Sequence, residues 1–168
     1  EDGVEVRAVI PASEQGLEDF FLELTYDAGE PARGKKRAGL ARLLPAGEER
    51  STLLLEAART AFLHLKAPDR GEALFGQAIA DTSAPGPLLK ELADRLQVAD
   101  RPAAAADVLE RMIAGQPEPP LPVARRIAAL RRQGGPEDAA VAAMERVLGL
   151  DPTDQEAAEY LQDRYRQQ

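Results

Sequence analysis

The chain has 168 residues, enough for one domain with a real core; 44% are apolar and 30% charged, but only 4% are aromatic and tryptophan is absent. A core must therefore be built from Ala and Leu, which favours closely packed helices. The net charge of -8 and the pI near 4.8 argue against broad binding to nucleic acid or an anionic membrane, and the lack of cysteine excludes disulfides, thiolate metal sites and cysteine catalysis.

Taken in chain order, Val4, Val6, Ala8 and Ile10 alternate with Glu5, Arg7 and Val9, which predicts a strand over residues 3–11 that ends at Pro11. Ser13 has the position of a helix N-cap. Beyond it Leu17, Phe20, Phe21 and Leu24 recur at helical spacing, with Glu14 and Glu18 near the positive end of the helix dipole. Residues 1–26 thus read as a strand-helix element. The start at Glu1-Asp2, without Met or a signal peptide, leads to the expectation of a processed product or an excised piece.

Residues 27–50 read as a linker with a short helix. Positions 27–39 hold three Gly, one Pro and the run Arg33-Gly34-Lys35-Lys36-Arg37, a composition expected neither to pack nor to propagate a helix. From Ser51 the pattern is helical to the end, with paired breaks at Ala67-Pro68, 83–87, 100–102, 115–120, 134–136 and Asp151-Pro152.

The paired breaks prompt a search for internal repeats. A small residue deep in each first helix falls at Ala61, Ala93 and Ala128, another early in each second helix at Ala73, Ala105 and Ala140, and a terminating proline at Pro85, Pro117 and Pro152. All three series have offsets of 32 and 35 residues. Two helices that cross closely leave room for no more than a methyl, and a proline stops a helix by removing a donor and clashing with the preceding turn.

Residues 121–154 resemble a tetratricopeptide repeat: Ala128 stands where that family has Gly or Ala, Gly135 lies in the turn, Ala140 and Met144 take the small-then-aromatic pair, and Leu148-Gly149-Leu150-Asp151-Pro152 is similar to the usual end. Residues 86–119 share Leu89, Leu92, Ala93, Leu96, Ala105, Leu109 and Pro117, and residues 54–85 share Ala61, Ala73, Ala80 and Pro85, with Gln77 where an apolar residue is expected. Residues 155–165 are similar to the solvating helix that closes such arrays, with Ala158, Leu161 and Tyr165 inward and Glu159, Asp163 and Arg164 outward. The family's large aromatic positions are Ala57, His64, Ala124 and Arg131 here. The resemblance implies a mainly α fold: a right-handed α-solenoid of about three helix pairs (54–85, 86–120, 121–154) with a capping helix over 155–166.

A second resemblance covers only residues 3–25. Their strand, Pro11 and the run from Leu17 to Thr25 are similar to the tail that ends the nucleotide-binding subunits of ABC exporters, which implies a carboxyl-terminal regulatory or docking extension of a transporter ATPase.

Catalytic constellations are missing from the sequence. Gly34-Lys35-Lys36 lacks the upstream glycine and following hydroxyl of a phosphate loop and reads as a solvated linker. His64 is the sole candidate base and stands where the family packs an aromatic, so a partly buried structural role is expected. Ser13, Ser51 and Ser83 are expected caps, and the paired carboxylates at helix starts, such as Glu48-Glu49 and Glu137-Asp138, suit the helix dipole.

In helix-pair solenoids the first helices line a concave groove. By register its candidate contacts are Ala58 and Phe62, then Lys90, Asp94 and Gln97, then Arg125, Ala129 and Arg132, with Arg126 beside them. Lys90, Arg125, Arg126 and Arg132 suit an acidic peptide or a terminal carboxylate; simple solvation of the helices is an equal alternative. The chain has no Asn, so the carboxylate clamp of chaperone-tail binders is not expected. The expected function is a non-catalytic protein-protein interaction scaffold, without cofactor, metal or nucleic acid and without membrane insertion, in the cytoplasm with the periplasm left open.

Overall fold

The prolines that interrupt the sequence pattern stand mostly at the entrances of helices. The structure, a computed structural model, describes residues 30–166, which form eight helices: α1 (Glu30–Ala41), α2 (Glu48–Leu63), α3 (Pro68–Ala80), α4 (Pro85–Val98), α5 (Pro102–Ile113), α6 (Leu121–Gly134), α7 (Glu137–Leu150) and α8 (Gln155–Tyr165). Pro68, Pro85 and Pro102 open α3, α4 and α5, and Pro122 is the second residue of α6. A first helical N–H has no intrahelical acceptor, and the fixed φ of proline already suits a helix, so the missing donor is harmless there. Pro85 thus starts a helix where termination was expected; Pro117 and Pro152 lie in the connections after α5 and α7.

Side-chain caps are scarce. From α2 to α8 only α8 has one, Asp154, whose Oδ1 accepts from the Ala157 N–H at 2.9 Å. Neither described serine caps a helix as expected. Ser51 is buried within α2 and donates to the Ala78 carbonyl of α3 at 3.1 Å, and Ser83 is exposed beside Thr82, whose hydroxyl accepts from the Ala84 N–H.

Each helix packs on its neighbours in sequence: α2 on α3, α4 on α5 and α6 on α7 within pairs, and α1 on α2, α3 on α4, α5 on α6 and α7 on α8 between them. This all-helical packing is consistent with a helical repeat protein. Burial reveals a register more regular than the sequence offsets. Leu54, Ala57, Ala58 and Ala61 of α2, Leu89, Leu92, Ala93 and Leu96 of α4, and Ala124, Ile127, Ala128 and Arg131 of α6 are all buried, and the sets lie 35 residues apart throughout. In the second helices Gly71, Leu74, Phe75 and Ala78 of α3 correspond to Ala105, Val108, Leu109 and half-buried Met112 of α5, then to Ala140, Ala143, Met144 and Val147 of α7.

The expected 32-residue first interval is thereby corrected. Ala58 and Gly71 hold the places expected for Ala61 and Ala73, while Ala73, Gln77 and Ala80 are exposed. Phe75 is the reason: as the one large ring of α3 it must be buried, and this fixes which face of α3 meets α2. One turn earlier, a Cβ at Gly71 would lie 2.5 Å from the Phe62 ring, so only glycine admits that ring, whose centroid is 6.0 Å from that of Phe75. His64 is displaced from the packing face by the same shift and is exposed at the C-cap of α2.

Two further expectations are corrected. Residues 30–41 form α1 despite their glycines, and Gly34 is what lets the helix pack: a Cβ there would sit 2.6 Å from Thr60 Cγ2 of α2, so the axes approach more closely than any other residue permits. Ala38, Leu40 and Ala41 are buried around that contact. In α8, Ala157 and Leu161 point inward with Tyr160 and Arg164 half-buried, whereas Ala158 and Tyr165 are exposed. The Asp154 cap sets that phase, and the Tyr165 hydroxyl donates to Glu145 at the surface.

The strand expected over 3–11 and the helix expected from Ser13 lie outside the described residues. No helix among the described residues is long and apolar enough to cross a membrane.

Candidate functional site

The first helices are bound side by side through charged pairs. Arg59 of α2 donates from Nε and Nη2 to the two carboxylate oxygens of Glu91 on α4, both at 2.7 Å, and this bidentate hydrogen bonding holds the Glu91 carboxyl below its usual range. The next junction pairs Asp94 of α4 with Arg126 of α6 at 2.6 Å, and Arg126 also donates to Gln97 at 2.8 Å. Arg59 and Asp94 are 35 residues apart, as are Glu91 and Arg126. The same bridge therefore recurs with its signs exchanged.

At the carboxyl end, Arg125 donates to Asp154 at 2.7 Å and to Asp151 at 2.9 Å. The Ala157 N–H and then Arg125 hold the Asp154 carboxyl below its usual range, while the Thr153 hydroxyl and N–H do the same for Asp151. Arg132 donates to Glu156 of α8, and its guanidinium lies 5.2 Å from the centre of the Tyr160 ring.

These contacts locate every residue expected in the groove. Arg126 binds both Asp94 and Gln97; Arg125 and Arg132 are engaged by acids in the α7–α8 connection and in α8. Phe62 is half-buried against Gly71 and Phe75, and Ala58 is fully buried, while Ala129 is exposed. Lys90 is exposed and makes no ion pair or hydrogen bond among the described residues.

Sequence reasoning noted Arg131 only as a departure from an aromatic position and gave it no partner. It stands 8% exposed on α6, donating from Nη2 to Asp107 at 2.5 Å and to Glu110 at 2.7 Å, and from Nε to Glu110 at 3.2 Å. The readable signal was the pair of acids one turn apart on α5, which face an arginine at the register position where α2 and α4 carry Ala61 and Leu96.

Two clefts flank this row. One, of about 530 Å³, lies among α6, α7 and α8, and its arginines Arg131, Arg132 and Arg164 are each paired with acids of the chain. The other, of about 560 Å³, lies at the carboxyl ends of α5 and α7, with Ile113, Pro117, Pro119 and Leu150 on its walls and Glu110 and Arg146 at its edge. His64 lines neither. No group of three or more His, Asp or Glu side chains among the described residues is arranged to hold a metal ion. No protein-family model matches the chain, and comparison with curated proteins returns no relative.

Proposed function

We propose that this chain is a non-catalytic protein-protein interaction scaffold, a right-handed α-solenoid of tetratricopeptide-like helix pairs whose row of first helices receives an acidic peptide or helix of a partner. The 35-residue burial register carried through α2, α4 and α6 is the observation that supports it most. An array of equivalent helix pairs presents one continuous face, and extended ligands bind along such faces.

The charge pairing ranks the contacts within that face. A partner carboxylate arriving at Arg126 or Arg132 displaces an internal acid, so one partly exposed ion pair is exchanged for another, a net change of about 0–1 kcal/mol, while at Arg125 it has to displace the buried Asp154 as well as Asp151. Among the described residues Lys90 has no acid to release. Added negative charge on a ligand is therefore read chiefly at Lys90, with the arginines fixing the orientation of the first helices.

Titration of a panel of acidic peptides into the full chain tests this reading. Lys90→Glu is expected to weaken the best peptide about tenfold, the worth of one charge-assisted hydrogen bond, and Arg146→Glu on α7 is expected to leave it unchanged. Equal effects of the two substitutions, or no peptide bound more tightly than about 1 mM, would sink it.

A further inference from the structure

The row of first helices leaves two large aliphatic side chains open to solvent. Val98 of α4 is 87% exposed and Leu63 of α2 is 55% exposed. Each is the last residue of its helix, and the two stand 35 residues apart, at equivalent positions of the register. Exposed aliphatic residues scattered singly are ordinary on a protein surface. A pair that recurs at one position of an array forms a patch.

Read from α2 to α6, the outward positions of the row change character. Leu55 of α2 corresponds to Lys90 of α4 and Arg125 of α6, Phe62 to Gln97 and Arg132, and Leu63 to Val98 and Gln133. Leu55 and Phe62 are half-buried and their counterparts on α4 and α6 are exposed. The row is apolar over α2 and cationic over α6, and the boundary runs through α4.

On α4 the outward polar groups between the two characters are already engaged. Arg59 holds Glu91, and Arg126 holds Asp94 and Gln97. Lys90, which has no ion pair or hydrogen bond among the described residues, and Val98 remain as the cation and the aliphatic group that the packing does not use. Eight residues separate them, or about 12 Å along the helix at 1.5 Å per residue.

We infer that the acidic segment received by this row carries an aliphatic side chain about four residues from its acid, the length of extended chain that spans about 12 Å. The aliphatic group covers Leu63 and Val98 while the carboxylate meets Lys90. The segment is thereby oriented, its acid toward the amino end of α4 and its apolar part toward the carboxyl end. An exposed lysine alone gives weak attraction that salt screens. Burial of aliphatic surface adds affinity that salt does not screen. The inference rests on the scaffold reading above and adds an apolar half to its ligand.

Two synthetic peptides, titrated into the full chain, test it. One has two leucines about four residues from two glutamates, in either chain direction, and the other has serines in place of the leucines. The leucine peptide is expected to bind about tenfold more tightly in its better direction. Val98→Ser with Leu63→Ser is expected to remove that advantage and to leave the serine peptide unchanged, since neither substitution alters charge. Val98→Ser alone, at a side chain that packs on little, keeps the melting temperature and is expected to remove part of the advantage. Lys90→Glu is expected to weaken both peptides alike. Equal binding of the two peptides, or an advantage that survives the double substitution, overturns the inference and leaves the scaffold reading standing. Binding of neither peptide sinks both. A dimer of the unliganded chain that Val98→Ser dissociates puts a second copy on the patch and also overturns it.

Discussion

At Gly71 the absence of a single methyl allows the first helix pair to close. A side chain there meets the Phe62 ring at 2.5 Å, so the half-buried ring, which packs on Phe75, has to shift. Gly71→Ala is expected to destabilise the protein by about 1–3 kcal/mol, read as a fall in melting temperature, and Phe62→Ala in the same chain to recover part of that loss. Arg131 poses the opposite case, a long cation held in the packing face by Asp107 and Glu110. Arg131→Ala is expected to cost about 2 kcal/mol, and Arg131→Met distinctly less because it keeps the buried aliphatic stem; chemical denaturation compares the two. These residues also show why the register of the first pair was misread. Ala57, Ala58 and Ala61 are three interchangeable small residues within little more than a turn, so composition cannot choose among them. Contact between Phe62, Gly71 and Phe75 makes the choice, and with it His64 moves to the surface.

Among the elements, α8 takes both its cap and one of its ties to α6 from a single carboxylate. Asp154 caps the helix through Ala157 and ties it to α6 through Arg125. Asp154→Ala removes both links and is expected to fray α8, seen as faster hydrogen exchange over 155–165, while Asp154→Asn keeps the acceptor, loses the charge and falls between. Acid acts in the same direction. The folded pKa of Asp154 lies below its unfolded value of about 4, so its stabilising contribution is complete above that value and is lost as pH falls through the lower folded one. The near-ultraviolet dichroism of Tyr160 and Tyr165 is expected to decline over that acid range. α1 and α8 were the elements least legible in the sequence, and for different reasons. In α1 the glycines that signal a linker are also what permits close packing, as the Gly34–Thr60 approach shows. In α8 the bounds 155–165 were legible, but the amphipathic stripe is narrow, so Ala158 and Tyr165 were read as inward where Ala157 and Arg164 take those places. By contrast the connections after α2 to α7 were all marked by Pro or Gly, which have few roles within a helix.

Over the whole molecule, the burial register of the first helices repeats every 35 residues while the charges between them do not. Arg59 to Glu91 becomes Asp94 to Arg126, the same geometry with reversed sign. Each pair is partly exposed, so Arg59→Glu is expected to cost under about 1 kcal/mol, and Glu91→Arg in the same chain to recover most of it; a double-mutant cycle measures the coupling. The larger effect is on the order of the units. If residues 85–119 were removed, α2 would stand beside α6 with Arg59 facing Arg126; if they were duplicated, Asp94 would face a second Glu91. Either rearrangement is expected to be less stable in dilute buffer than in salt. The helix pairs have interchangeable shapes but behave as keyed couplings, each admitting the neighbour it has and resisting the loss or copying of the unit between.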